Sequence, residues 1–402
     1  MQKNVLIPLT RLHVQDGIAS HLALLLPLLR DAGWKVHLVS GLVDCPSGFE
    51  TKLRTIKNGC ESFREEPDFI VGGSLRIRSF FKSFVAMRGL LSERDYDIIH
   101  LQGRALCPVA MICSKVCTAK VVHTVQLAPE RGSGSLLQKC ISWITGRWLG
   151  HRVIAISSEM VSSLSEVMGV PNGRIRKIYH GTNLSHFRPA PVGFRNEVRD
   201  RLGIPRDAFT LLQLARVSAI KHPQTLVKAC ADLRKDNRDV HVVLAGHCDP
   251  AEEKAVEYLA ASLGVSGFVH VTGHLNAMDG FALADVNVLA SEREGFPQSI
   301  VEGMACGLVP IRTPVEGATD QITNGVDGFL FSIDDHEQLC SIIHKLVDDP
   351  KLRIEVAARA RLKAVEKFSD KAMADNTIAV YEELRKVTDR KKSTDACAGH
   401  EK

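Results

Sequence analysis

This 402-residue chain lacks several things, and each absence closes a class of function. Its eleven cysteines include no C-x-x-C pair. An odd, scattered set argues against a disulfide framework and suits a reduced, cytoplasmic setting. Cys113 and Cys117 fall in an apolar helical stretch and read as core, and no His/Cys/Asp cluster has zinc-like spacing. No basic n-region or cleavage site opens the chain, so no secretory signal is read. The apolar run Leu22–Leu29 contains Pro27 and is far too short to cross a bilayer. No G-x-G-x-x-G follows the first predicted strand, and GSGS at Gly132–Ser135 lacks the third glycine and the strand context. That argues against a nicotinamide-dependent enzyme. Asp95-Tyr96-Asp97 has the form of a metal-binding D-x-D, but it directly precedes an apolar strand, which an aspartate commonly opens. Nothing resembles a nucleic-acid-binding module.

What is present is an ordinary hydrophobic content of 45% over a length that asks for two cores. Short apolar runs alternate with helical patterns, the mark of α/β sheets. Strands are predicted at Asn4–Pro8, Lys35–Ser40, Asp97–Leu101, Lys120–Val125, Arg152–Ile156 and Ile175–Tyr179. After a linker marked by Pro189, Pro191 and Gly193 they resume at Thr210–Leu214, Val240–Ala245, Phe268–Thr272, Asp285–Ala290 and Val309–Thr313. The reading is an N-terminal Rossmann-like domain over 1–190, a second over 191–370, and a polar, disordered tail over 389–402. Two such halves place a ligand in a cleft outside the carboxyl ends of their strands.

The richest stretch is SEREGFPQSIVEGMACGLVP, Ser291 to Pro310. A buried strand ends just before it, and Ser299–Cys306 reads as a helix stopped by Gly307. Glu294 stands on the intervening turn and Glu302 about one helical turn in. A helix start behind a strand offers N–H groups to a phosphate. The two carboxylates suit sugar and ribose hydroxyls, or they are merely acids placed near a helix start.

Glu294, Gly295, Phe296, Glu302, Met304, Ala305 and Gly307 resemble the donor-site signature of the retaining glycosyl transferases group 1 family, with Gly303 where alanine is usual. That resemblance implies a GT-B fold, two Rossmann-like domains facing across a cleft, and a C-terminal helix (371–388) packed back on the first domain. It implies nucleotide-sugar contacts from Phe296, Pro297, Gln298, Ser299 and Glu302. Arg216 and Lys221 resemble the family's G-R-x-x-x-x-K-G motif, with Ala215 and His222 replacing its glycines. Two such cations neutralise a departing diphosphate where no metal does so.

Gly17 resembles the family's phosphate-approaching glycine loop, with Asp16 in place of its first glycine. Gln126 stands where many relatives carry a histidine facing the reacting sugar. His123, three residues earlier, points to the other face of its strand and reads as a satisfied core histidine. His180 replaces the asparagine of a hinge-side motif. The function implied is metal-independent transfer of a hexosyl unit from a nucleoside-diphosphate sugar to a glycan or lipid-linked hydroxyl, with no cofactor. Arg216, Lys221 and Glu294 would be catalytic. The alternatives are a catalytically silent sugar-nucleotide-binding partner protein and a nucleotide-sugar epimerase.

Charge is unevenly spread. Residues 70–152 hold twelve Lys/Arg against four Asp/Glu, while the whole chain is only +5. Within this block Ile77–Leu91 and Ser142–Arg152 mix apolar and aromatic residues with Arg78, Lys82, Arg88 and Arg147. Two core-packing helices with solvated edges explain that pattern. So does peripheral contact with an anionic membrane.

Overall fold

The computed structural model describes residues 2–69, 76–127, 143 and 146–398. The chain divides into two compact units: Met1–Gly181 with Asp370–Lys402, and Thr182–Ser369. The change of unit therefore falls at Gly181, ahead of the proline-marked linker at Pro189. GSGS lies outside the described residues, as does part of the basic block.

The first unit is built on a parallel sheet. Its strands are β1 (Lys3–Leu9), β2 (Trp34–Ser40), β3 (Ser62–Glu65), β4 (Ile98–Leu101), β5 (Lys120–Val125), β6 (Arg152–Ala155) and β7 (Ile175–Lys177). They lie in the order β3-β2-β1-β4-β5-β6-β7. β4 and β5 are buried nearly throughout because helices cover both faces of such a sheet. β3 is the exception: Ser62-Phe63-Arg64-Glu65 is mostly exposed at the sheet edge. No apolar run marked it.

Helix Gly17–Asp31 buries Leu22, Leu25, Leu26 and Leu29 against the sheet, the stripe expected of a half-buried helix. The C-terminal helix Asp370–Ala398 adds Met373, Ala374, Val380, Tyr381 and Leu384 to the same core. Tyr381 packs edge-on against Trp34 at 4.9 Å. The helix continues to Ala398, past the end placed at 388 and through most of the segment read as a disordered tail. Charge ties it down: Glu383 meets Arg152 at 2.7 Å and Arg176 at 2.8 Å. Asp97 accepts from Arg385 Nε at 3.1 Å and from the Asn4 backbone N–H at 2.9 Å. That aspartate is thus engaged at the amino end of β4.

The second unit repeats the plan with β8 (Phe209–Leu214), β9 (Val240–Ala245), β10 (Val269–Gly273), β11 (Val286–Leu289), β12 (Val309–Arg312) and β13 (Phe329–Leu330). Their order is β10-β9-β8-β11-β12-β13. In each sheet the winding reverses once, between β1 and β4 and between β8 and β11. Loops leaving the carboxyl ends of those strand pairs diverge and open a crevice. No described helix is long and apolar enough to cross a membrane.

Candidate active site

The crevice of the second unit is bounded by the loop after β8, Ala215–His222, and the loop after β11, Ala290–Pro297. Buried Gln213 joins them: its Nε2 donates to the Lys221 carbonyl at 3.1 Å, and its Oε1 accepts from the Ala290 N–H at 3.2 Å. A backbone bond from Glu292 N–H to the Ile220 carbonyl, 3.0 Å, closes the pair. Ser291 N–H donates to Thr313 Oγ1 at 3.1 Å. The loops are thereby held as one rigid frame.

On that frame Lys221 Nζ lies directly against Glu294 Oε1 and 3.4 Å from Ser291 Oγ. The two side chains are 20% and 14% exposed, withdrawn from bulk water yet reachable. Arg216 is exposed on the same loop as Lys221. Helix Gln298–Ala305 starts immediately behind Pro297, with half-buried Glu302 one turn in. Gly307 follows its end at φ +85°, the left-handed conformation that a helix-terminating glycine supplies. The Phe296 ring is buried against Phe368, with centroids 5.3 Å apart. Its aromatic side chain serves the core.

Two departures from the family pattern acquire reasons. His222 sits at φ +43°, which explains why a glycine is usual there. A left-handed conformation costs a non-glycine residue about 1–2 kcal/mol. The buried imidazole offsets that by bonding Asp334 Oδ1 at 2.6 Å and Glu292 Oε1 at 2.7 Å. Gly303 faces Asn287, and a Cβ there would stand 2.6 Å from Asn287 Nδ2, which donates to the Ser299 carbonyl at 2.7 Å. An asparagine in β11 has taken the room an alanine methyl would need. Gly246 is required by close approach, since a Cβ would fall 2.1 Å from the Ala215 carbonyl oxygen.

The first unit gathers its predicted residues differently. At the carboxyl edge of its sheet Gln126 Nε2 donates to Gln102 Oε1 at 2.9 Å, and Gln126 Oε1 lies 3.0 Å from His180 Nε2. The two departures noted at 126 and 180 are therefore one contact. His180 Nδ1 lies 2.9 Å from His21 Nδ1, and Gln102 Nε2 lies 3.3 Å from His100 Nε2. His100 also meets Thr124 Oγ1 at 2.8 Å and the Tyr381 hydroxyl at 2.6 Å. Burial pulls His180 down to about 4 and His100 to about 3, and it holds His21 well below the ordinary imidazole value. These rings are neutral at physiological pH.

His123 is in the core as read, but only partly satisfied. Its Nδ1 is 3.6 Å from Cys107 Sγ, and its Nε2 has no partner among the described residues. Gly17 opens its helix with no left-handed φ, and a Cβ there would meet nothing within 4 Å. Neither the backbone nor any neighbour among the described residues demands that glycine. Gln213, Glu292 and Asp334 escaped the sequence reading. Only Gln213, a lone polar residue in the apolar run TLLQL, carried a signal. Among the described residues no group of three His, Cys, Asp or Glu stands where it could hold a metal ion.

Residues 194–363 match the family model described as Glycosyl transferases group 1, and residues 15–186 match Glycosyltransferase Family 4. A D-inositol 3-phosphate glycosyltransferase of Catenulispora acidiphila is 29% identical over 315 residues, 73% of this chain and 73% of that protein. A glycosyltransferase of Rickettsia africae superposes with a TM-score of 0.81 at 20% identity, over 96% of this chain and 99% of its own. HepE of Anabaena, solved in complex with UDP, superposes with a TM-score of 0.78 at 19% identity, over 95% of this chain and 100% of its own.

Proposed function

This chain belongs to the glycosyl transferases group 1 family and has the GT-B fold, and from that premise we propose that it transfers a hexosyl unit from a nucleoside-diphosphate sugar to a hydroxyl, with retention at the anomeric carbon. The observation that carries the reading is the contact of Lys221 with Glu294 at the switch point of the second sheet. A cation and a carboxylate side by side suit a diphosphate joined to a sugar: the ammonium meets the leaving oxygens, the carboxylate a sugar hydroxyl.

Arg216, on the same loop, adds a second positive charge. Preorganised cations stabilise the charge that develops as the diphosphate departs, and they need no reorganisation at that moment. The N-terminus of Gln298–Ala305 adds its partial positive charge. Pro297, Gln298 and Ser299 would then meet the donor through that helix start, and Glu302 the ribose. The departing diphosphate oxygen would take the acceptor proton on the face it leaves, giving retention without a metal. HepE has been solved in complex with UDP, with UDP and glucose, and with UDP-glucose, which favours a nucleotide sugar as donor.

In the first unit we assign Gln126 to a sugar hydroxyl. Gly17 is assigned to close ligand approach, since nothing among the described residues requires a glycine there. For the acceptor we favour a glycan or a lipid-linked hydroxyl, with peripheral contact at an anionic membrane surface. Phe81, Val85 and Val116 are 61%, 68% and 72% exposed, and Arg147 and Lys115 stack over Trp143 and Trp148. Co-sedimentation at low salt tests that contact. Binding to phosphatidylglycerol vesicles but not phosphatidylcholine ones is expected, and absence from both pellets ends the idea.

The experiment for the reaction is a panel of UDP- and GDP-sugars with and without acceptors, following diphosphate release and the anomeric configuration of the product. Release that speeds up with acceptor, with retention, is expected. Nucleotide binding without release would instead make the protein a silent binding partner. Turnover of donor with no acceptor and no hydrolysis would make it an epimerase.

A further inference from the structure

The polar chain at the carboxyl edge of the first sheet is longer than sugar contact alone requires. It runs His21–His180–Gln126–Gln102–His100 through separations of 2.9, 3.0, 2.9 and 3.3 Å. Each neutral imidazole has one N–H and one lone pair, and each carboxamide two N–H bonds and an acceptor oxygen. Those rules couple the members.

If Gln126 Oε1 accepts from His180 Nε2–H, then His180 Nδ1 must accept from His21 Nδ1–H. Gln126 Nε2 then donates to Gln102, whose own amide donates to His100 Nε2. The opposite order, with both amides turned over, is also self-consistent. In either order one N–H of half-buried Gln126 is left without a partner among the described residues. Two of its hydrogen-bonding positions are pinned from inside the protein, and the remaining amide hydrogen is what it can offer to a ligand. His180 and Gln102 are 5% and 1% exposed, so the pinning groups do not themselves meet solvent.

We propose that His180 is a positioning residue for the transfer reaction: its imidazole fixes the rotation of the Gln126 carboxamide, so that the spare N–H is held ready for a hydroxyl of the sugar. This rests on the glycosyltransferase reading above. A glutamine side chain free to rotate would lose part of its hydrogen-bond advantage to ordering entropy. One held between His180 and Gln102 has already been ordered by folding. The ring is kept neutral by burial, so one nitrogen always accepts while the other donates.

The test is a double-mutant cycle. His180→Met removes both ring nitrogens at similar volume, while His180→Gln keeps a donor near the position of Nε2. The probe is whichever of UDP-glucose, UDP-N-acetylglucosamine and GDP-mannose the wild type turns over fastest, read as diphosphate release. We expect His180→Met to lower turnover by roughly tenfold, the scale of one well-made hydrogen bond, with KM for the donor little changed. His180→Gln should recover most of that loss. Gln126→Ala should lose at least as much as His180→Met, and the double variant His180→Met/Gln126→Ala no more than Gln126→Ala alone.

Full activity in His180→Met, or losses that multiply in the double variant, overturns the proposal. If His180→Met does not fold, the decision passes to His180→Gln against wild type and Gln126→Ala. A His180→Gln variant that folds like wild type yet is as slow as Gln126→Ala also overturns it. Absence of turnover in the wild type with every donor would sink the glycosyltransferase reading itself, and this proposal with it.

Discussion

The two sheets share one winding plan, yet the side chains at their carboxyl edges differ in kind. On the second unit the edge carries full charges on Arg216, Lys221 and Glu294, with His222 bonded to the Glu292 and Asp334 carboxylates. On the first it carries neutral dipoles, His21, His180, Gln126, Gln102 and His100, linked end to end. A diphosphate needs opposing charge, whose attraction is long-ranged and tolerant of direction. A sugar hydroxyl needs a donor or acceptor aimed along one line. Under the proposed function, the charged edge suits a diphosphate and the neutral edge a sugar hydroxyl.

The comparison breaks most readily at the charged edge. Lys221→Ala or Glu294→Ala should lower diphosphate release by roughly 10²–10³-fold, the usual loss for a preorganised electrostatic group. Circular dichroism should show the fold intact, because both side chains belong to a loop frame held by Gln213. Near-normal rates in either variant would remove the donor-site assignment.

Next in size is the acid response of the first unit's buried histidines. His100 and His123 are held at about 3 and His180 at about 4, against 6.5 for an ordinary imidazole. Above about pH 6.5 neither the folded nor the unfolded chain protonates them, so their contribution is fully present. As pH falls toward 4 the unfolded chain takes up protons that the folded one refuses, and stability is lost. Each group costs up to about 1.4 kcal/mol per pH unit in that window. The three tryptophans, Trp34, Trp143 and Trp148, all belong to the first unit, so their fluorescence reports it alone. The urea midpoint by tryptophan emission should fall by an amount worth a few kcal/mol between pH 7 and pH 5. An unchanged midpoint would contradict the burial of these rings.

Smaller effects sharpen the second unit's half of the comparison. Gly303→Ala should cost about 1–3 kcal/mol by overpacking against Asn287. In Gly303→Ala/Asn287→Ala the two losses should sum to less than their separate values, as measured by thermal denaturation. His222→Gly should shift stability by less than about 1 kcal/mol, because relief of the left-handed strain opposes loss of two half-exposed carboxylate partners. His222→Ala keeps the strain and loses the partners, so it should melt lower than His222→Gly.

Periodicity and turn residues made both sheets legible. Every apolar strand predicted is present within two residues of its ends, and Gly307 ends its helix as expected. What escaped has common physical causes. Ser62–Glu65 and Phe329–Leu330 are an edge strand and a two-residue strand, positions where burial writes no alternating pattern. The helix Asp370–Ala398 outruns its apolar stripe, so its polar end looked like a tail. The residues proposed for the donor could be singled out because their spacing is local: Arg216 with Lys221, and Glu294 with Glu302. The partnership of Gln126 with His180 was not, since 54 residues separate them and only the sheet order brings them together. His222 was visible as a departure from glycine, but its partners Glu292 and Asp334 lie 70 and 112 residues away.

The division between a charged and a neutral edge is tested most directly by calorimetric titration of UDP, GDP and ADP into wild type, Lys221→Ala and Gln126→Ala. Wild type should bind at least one nucleoside diphosphate, Lys221→Ala should bind it at least about tenfold more weakly, and Gln126→Ala should bind it as wild type does. Equal binding by wild type and Lys221→Ala, or no binding by wild type at all, would contradict the account.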